Sequence, residues 1–225
     1  MIFVWFIPSY LQAFLLWLLF RRRAYRVFPF LFSYSAFGLA ADAARFVTRN
    51  LPHAYFWTYW LTDTVYVILA TLTLFEVCRH VLGKTTRVWW GHLLFPGAIA
   101  ASVLLTAARI QAVPPRWGKV MFWMIVSQIA MGFAQVLTFA SLVSLVPLLG
   151  VPLHDQSSSI AAGYGMYATL MLWMTTKVSD SGPSLVHTWG VISVIAYSAM
   201  LVIWIWAFRK PQVAEVTAPT KSPGT

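Results

Sequence analysis

Few of the 225 residues in this chain are ionisable, and those that interrupt long apolar runs are where chemistry has to be sought first. Asp42 and Arg45 are three apart, which puts them on one face of a helix and within reach of a salt bridge. Asp63 enters the next apolar run from the same side, at a depth of roughly 10 Å, similar to that of Asp42, when counted along a helical rise. An ionisable group inside a spanning helix costs about 2.5 to 3.5 kcal/mol, so each of the three demands a partner. Asp42, Arg45 and Asp63 therefore form a candidate intramembrane polar cluster with two readings: a lock between the second and third helices, or a ligand, ion or proton site in the outer leaflet.

Glu76 precedes Arg79 and His80 by one helical turn, so a pairing at i,i+3 or i,i+4 neutralises it at the inner end of the third helix. Gln128 and Gln135 are seven apart and share a helix face, with Ser127, Thr138 and Ser141 close by. That face reads either as interhelical hydrogen bonding or as a solute path. The glycines of the run around Gly163 and Gly165 allow close helix contact, while Tyr164 and Tyr167 supply phenols for packing or for a pocket.

Several chemistries lack the residues they need. A retinal protein requires a lysine buried in its last helix, and Ser184 to Phe208 contains none. Haem-spanning helices require facing histidines at one depth, whereas His53, His80, His92, His154 and His187 fall at helix ends or in connections. No embedded Ser/His pair, paired aspartates or HExxH spacing marks a hydrolase, and a single cysteine, Cys78, excludes an internal disulfide and a CxxC metal site. The expectation is a chain with no catalytic residue, no cofactor and no metal.

The elements that carry these residues follow from composition. Apolar types make up 60% of the chain and charged types 10%, against roughly a quarter charged in soluble domains. Runs of about 20 residues pass with one ionisable group or none, the length a helix needs to cross the hydrocarbon layer. They are continuous rather than alternating, and backbone amides in lipid must bond internally, so helices rather than a barrel are expected. The runs fall at about 2–20, 27–48, 55–78, 89–108, 118–146, 158–177 and 185–208. The predicted fold is all-α, a polytopic bundle of seven transmembrane helices in one domain over 1–208. Residues 209–225, rich in Pro, Thr, Ser and Gly, read as a disordered cytoplasmic tail. The apolar opening with cations behind it reads as a retained first helix rather than a secretory signal.

The formal charge of +10 sits at the ends of apolar runs, which marks topology and not a nucleic-acid face. Of the 16 Lys and Arg residues, ten lie on one set of alternate connections: Arg21, Arg22, Arg23, Arg26, Arg79, Lys84, Arg87, Arg209, Lys210 and Lys221. Five lie on the other set, Arg49, Arg109, Arg116, Lys119 and Lys177, with Arg45 inside a helix. Cations are retained inside, so the N-terminus is expected outside and the C-terminus inside a bacterial cytoplasmic (inner) membrane. Arg21, Arg22, Arg23 and Arg26 can also attract anionic lipid headgroups, at about 1 kcal/mol each. Trp57, Tyr59, Trp60, Trp89, Trp90, Trp117, Trp204 and Trp206 fall near run ends and read as headgroup anchors.

Two stretches, RRRAYRVFPFLFSY (21–34) and YFWTYWLTDTVYVILATLTLFEVCRHVL (55–82), resemble a family of uncharacterised bacterial multi-helix integral membrane proteins. The shared features are the arginine-rich first loop, Phe28-Pro29 opening the second helix, Tyr59-Trp60 entering the third, and Glu76, Arg79 and His80 leaving it. The resemblance implies topology and no activity. With outer polar groups and no soluble effector of its own, the chain is expected to be a non-enzymatic sensory or scaffold component acting with a protein partner or as a homo-oligomer. The alternative is a small-solute or ion transporter that uses Asp42, Arg45 and Asp63. A lipid-modifying enzyme ranks last.

Overall fold

The computed structural model describes residues 6–83, 91–110, 119–148, 156–181 and 186–209. Lys84, Arg87, Trp89, Trp90, Arg116, Trp117, His154 and the tail beyond Arg209 lie outside them. Every regular element among the described residues is helical: α1 (Ile7–Arg21), α2 (Pro29–Thr48), α3 (Pro52–Gly83), α4 (Gly91–Ile110), α5 (Lys119–Leu148), α6 (Gln156–Ser181) and α7 (Val186–Arg209), with a 3₁₀ turn, Ala24–Arg26, between α1 and α2.

Proline sets several of the starts. Pro8, Pro29 and Pro52 all occupy the opening positions of their helices, where the missing N–H would have had no intrahelical partner. The reversal after α1 is made by Arg23, whose backbone is left-handed at φ 54°, an uncommon state for a residue with a Cβ. The 3₁₀ turn then delivers the chain to Phe28, which is buried.

Five helices close into a ring. α1 packs on α2 and α7, α2 on α3, α3 on α6, and α6 on α7. α5 lies against α6 and α3 outside the ring, and α4 packs chiefly on α5. Burial is inverted relative to a water-soluble bundle. Leu61, Leu104 and Trp206 are 64%, 71% and 57% exposed, whereas Gln12, Ser35 and Thr73 are 1%, 0% and 0% exposed. An apolar outer face and polar groups turned inward suit lipid contact, because lipid offers no hydrogen bonds to the excluded groups.

Among the described residues, three helical stretches are long and apolar enough to cross a membrane: Pro52–His80, Val126–Ser144 and Thr188–Arg209. Ile7–Arg21 and Pro96–Ala108 are apolar but shorter. α2 carries Asp42 and Arg45, and α6 opens with Gln156 and three serines, which lowers the hydropathy of both. The tryptophans also divide differently from the headgroup-anchor expectation. Trp57 and Trp206 are exposed at helix ends, but Trp204 is fully buried, and its Nε1 donates to the carbonyl of Ile160 at 3.2 Å. Gly163 makes room for it, since a Cβ there would lie 2.5 Å from that nitrogen.

Candidate functional site

The short Arg49–Leu51 turn folds α3 back along α2, so the last turns of α2 face the first turns of α3. At this end of the ring, where α1, α3 and α7 begin and α2 and α6 finish, the helices part around a cavity of about 430 Å³. Asp42, Arg45 and Asp63 all line it, together with Pro8 and Gln12 of α1, Tyr55, Tyr59 and Tyr66 of α3, Tyr167 and Met171 of α6, and Trp189, Ser193 and Tyr197 of α7. A volume of this size matches small-molecule sites, which run from about 300 to 1,000 Å³.

Each charged group in the wall is held by neutral partners. Ser9 Oγ donates to Asp42 Oδ2 at 2.5 Å, tying α1 to α2. Arg45 Nε donates to Thr62 Oγ1 at 2.9 Å and Nη2 to the carbonyl of Tyr59 at 3.4 Å, while its guanidinium lies 4.5 Å from the Tyr59 ring centre. Gln128 Nε2 donates to Asp63 Oδ2 at 2.7 Å, tying α5 to α3. The three charges thus share one cavity, yet their hydrogen bonds run to Ser9, Thr62, the Tyr59 carbonyl and Gln128 rather than to one another. The i,i+3 salt bridge that spacing allows between Asp42 and Arg45 is replaced by cross-helix bonds, because the guanidinium reaches over to α3. Gln135, half-buried on the same helix as Gln128, takes no part in the bond to Asp63.

A second tier of polar groups lies beside the charges. Gln12 is buried and donates from Nε2 to the Tyr66 hydroxyl at 3.4 Å; that hydroxyl in turn hydrogen-bonds Tyr197. Gly38 is the reason Gln12 fits, since a Cβ there would sit 1.9 Å from its amide nitrogen. The indole Nε1 of Trp189 is buried with no hydrogen-bond partner among the described residues. Below the cavity the rings close up: Tyr34 lies 4.3 Å from Tyr66 and 5.6 Å from Tyr164, and Tyr164 lies 4.8 Å from Trp204. Tyr34, Tyr164 and Trp204 are 1%, 2% and 0% exposed, so the cavity has an aromatic floor.

At the far end of α3, Glu76, Arg79 and His80 are arranged differently from a self-contained i,i+3 or i,i+4 pair. Glu76 turns its carboxylate to α2, accepting from the backbone N–H of Phe30 at 3.4 Å and of Leu31 at 3.3 Å. α2 has no side-chain cap of its own, and these two N–H groups are among the four a helix start leaves without partners. His80 Nδ1 bonds the carbonyl of Glu76 at 3.2 Å and its ring packs 5.0 Å from Phe28. Arg79 lines a separate cavity of about 500 Å³ with Glu76, His80, Arg26 and Phe30. Capping from another helix leaves no trace in local spacing, and neither do the contacts of Ser9 and Thr62 or the place of Trp189 in the cavity wall.

Arg21, Arg22, Arg23 and Arg26 are exposed around the first turn. Arg22 Nη2 donates to the carbonyl of Arg209 at the end of α7, at 3.2 Å, where cations favour the exposed helix carbonyls. No group of three or more His, Cys, Asp or Glu side chains converges on a metal-binding arrangement among the described residues. No family model matches the sequence, and no curated protein or solved structure matches it either.

Proposed function

We propose that the chain is a seven-helix protein of a bacterial-type cytoplasmic membrane, N-terminus outside, that senses a small polar solute in the cavity of its helical ring and relays the bound state to a partner. The observation that carries this reading is the convergence of Asp42, Arg45 and Asp63 on one cavity with a closed aromatic floor. Five helices supply its wall, so filling it changes how those helices pack, and the connections at the other end of the bundle feel that change. The positive-inside bias supports the orientation. Exposed Arg21, Arg22, Arg23 and Arg26 on the inner side then face anionic headgroups and whatever cytoplasmic partner reads the signal.

One observation favours transport as a second reading. Asp63, Tyr66, Thr73 and Glu76 are spaced three, seven and three residues apart on α3, a polar stripe from the outer cavity to the inner one. The aromatic floor interrupts that stripe, which is why sensing ranks first. Reconstitution into proteoliposomes separates the two. Solute flux that disappears in a folded Asp63→Asn variant establishes transport and removes the sensory reading. Absence of flux, with a cytoplasmic effector co-purifying with the chain in gentle detergent, supports sensing, and isolation as a lone species counts against it.

A further inference from the structure

The sign of the charge in the cavity, and the chemistry of the rest of its wall, restrict what it can hold. Two carboxylates, Asp42 and Asp63, against one guanidinium, Arg45, leave a formal charge of minus one. Arg45 is turned to its own neighbours, with the Tyr59 ring, the Tyr59 carbonyl and Thr62 around its guanidinium. Asp42 accepts from Ser9 and Asp63 from Gln128, both neutral donors, and among the described residues neither carboxylate has a cation in hydrogen-bond contact. Set among apolar helices, such carboxylates call for a positive partner. Much of the remaining lining is aromatic: Tyr55, Tyr66, Tyr167, Tyr197 and Trp189 border the same space, beside Gln12, Ser193 and small or aliphatic residues. Ring faces attract cations, and a desolvated ammonium gains most from them.

We infer that the cavity is a site for a small organic monocation, a primary amine or quaternary ammonium, with Asp63 and Asp42 as counter-ions and the tyrosine and tryptophan rings as the cage. This rests on the reading of the cavity as a solute site and adds the class of solute. Arg45 acts against a cation and sets a limit on its charge: a ligand with its own carboxylate would use the guanidinium, and a bare cation would not.

The test uses the single native cysteine to advantage, since Cys78 is buried and its replacement leaves a thiol-free background. In purified Cys78→Ala, Ser193→Cys protein, the new thiol sits in the cavity wall. It is treated separately with methanethiosulfonates bearing a trimethylammonium and a sulfonate head. The expected result is a cationic-to-anionic rate ratio at least about tenfold above that for a small neutral thiol in solution, the least that focusing of counter-ions by a charged cleft gives. Choline is expected to slow the reaction, and its uncharged carbon isostere is not. Asp63→Asn is expected to lower the ratio; if that variant fails to fold, the ratio and choline protection in the parent decide alone. Labelling by both reagents at the solution ratio, or protection by betaine and not by choline, overturns the cation assignment and leaves a solute site standing. No labelling by either reagent overturns the solute site and the assignment together.

Discussion

The carboxylate of Glu76, near the end of α3, lies 3.3 Å from the backbone N–H of Leu31, in the first turn of α2, and so caps a helix to which it is not covalently adjacent. Glu76 is only 7% exposed, so the N–H groups it serves have little water to turn to. The contact does two jobs. It satisfies donors at the start of α2, and it fixes the C-terminal end of α3 against that start while the Arg45 bonds fix the opposite ends of the same two helices.

Replacing Glu76 should therefore reveal an order. Glu76→Ala strands the buried donor of Leu31 and the part-buried donor of Phe30 and is expected to cost about 1 to 3 kcal/mol, the penalty of an unsatisfied buried polar group. Glu76→Gln keeps an acceptor and loses only the charge at the helix start, worth about 0.3 to 1 kcal/mol. Unfolding of purified protein followed by circular dichroism checks this. Equal loss in the two variants would mean that charge, and not the acceptor, is what α2 requires.

The same helix pair is held at the cavity by Arg45, and lysine should not replace it. The guanidinium uses Nε for Thr62, Nη2 for the Tyr59 carbonyl, and its plane for the Tyr59 ring. An ammonium is a point donor without that fork or face. Arg45→Lys is expected to lose about 1 kcal/mol or more, on the scale of a hydrogen bond together with the cation–ring contact. Native-like stability in that variant would show that position 45 needs only a positive charge.

How much of this was legible before folding depends on the range of the signal. Helices were readable from the continuous apolar runs, because that signal acts within a few residues, although the third starts at Pro52, ahead of the run at 55–78. The spacing of Asp42 and Arg45 placed them on one face, since that is a property of a single helix. Which atoms they bond was not readable: Ser9 meets Asp42 from 33 positions away and Gln128 meets Asp63 from 65. Trp204 misled for a related reason. A tryptophan near a helix end suits the headgroup layer, and only the packing of Gly163 opposite it turns the ring into the core.

Glycines make that dependence measurable. A Cβ on Gly165 would come within 2.2 Å of the Phe139 ring on the neighbouring α5, and a ring packed between helices cannot swing clear as a chain end can. Gly165→Ala is expected to cost about 1 to 3 kcal/mol, the usual range for overpacking. Gly97 has nothing within 4 Å of the same added atom. Gly97→Ala is expected to be neutral or to stabilise by up to about 1 kcal/mol, from helix propensity alone. Comparable losses in the two variants would show that α5 and α6 do not pack as closely as Gly165 requires.

The orientation carries the last prediction, because it decides whether the cavity meets the outside of the cell. α1, α3 and α7 begin at the cavity end, and Arg22 and Arg209 meet at the other, the end where cations are concentrated in the sequence. If all seven helices cross, as proposed above, a tag ahead of residue 6 and a reporter beyond residue 209 must fall on opposite faces. The tag is expected to be reached by antibody on intact spheroplasts, and the reporter to be active only as a cytoplasmic fusion. Ser193→Cys in the Cys78→Ala background should then react with an impermeant reagent added from outside. Two ends on one face would require an even number of crossings and would detach the cavity from the exterior. If the ends fall on opposite faces but the thiol is reached only from within, the odd count stands and the direction is reversed, making the solute a cytoplasmic one.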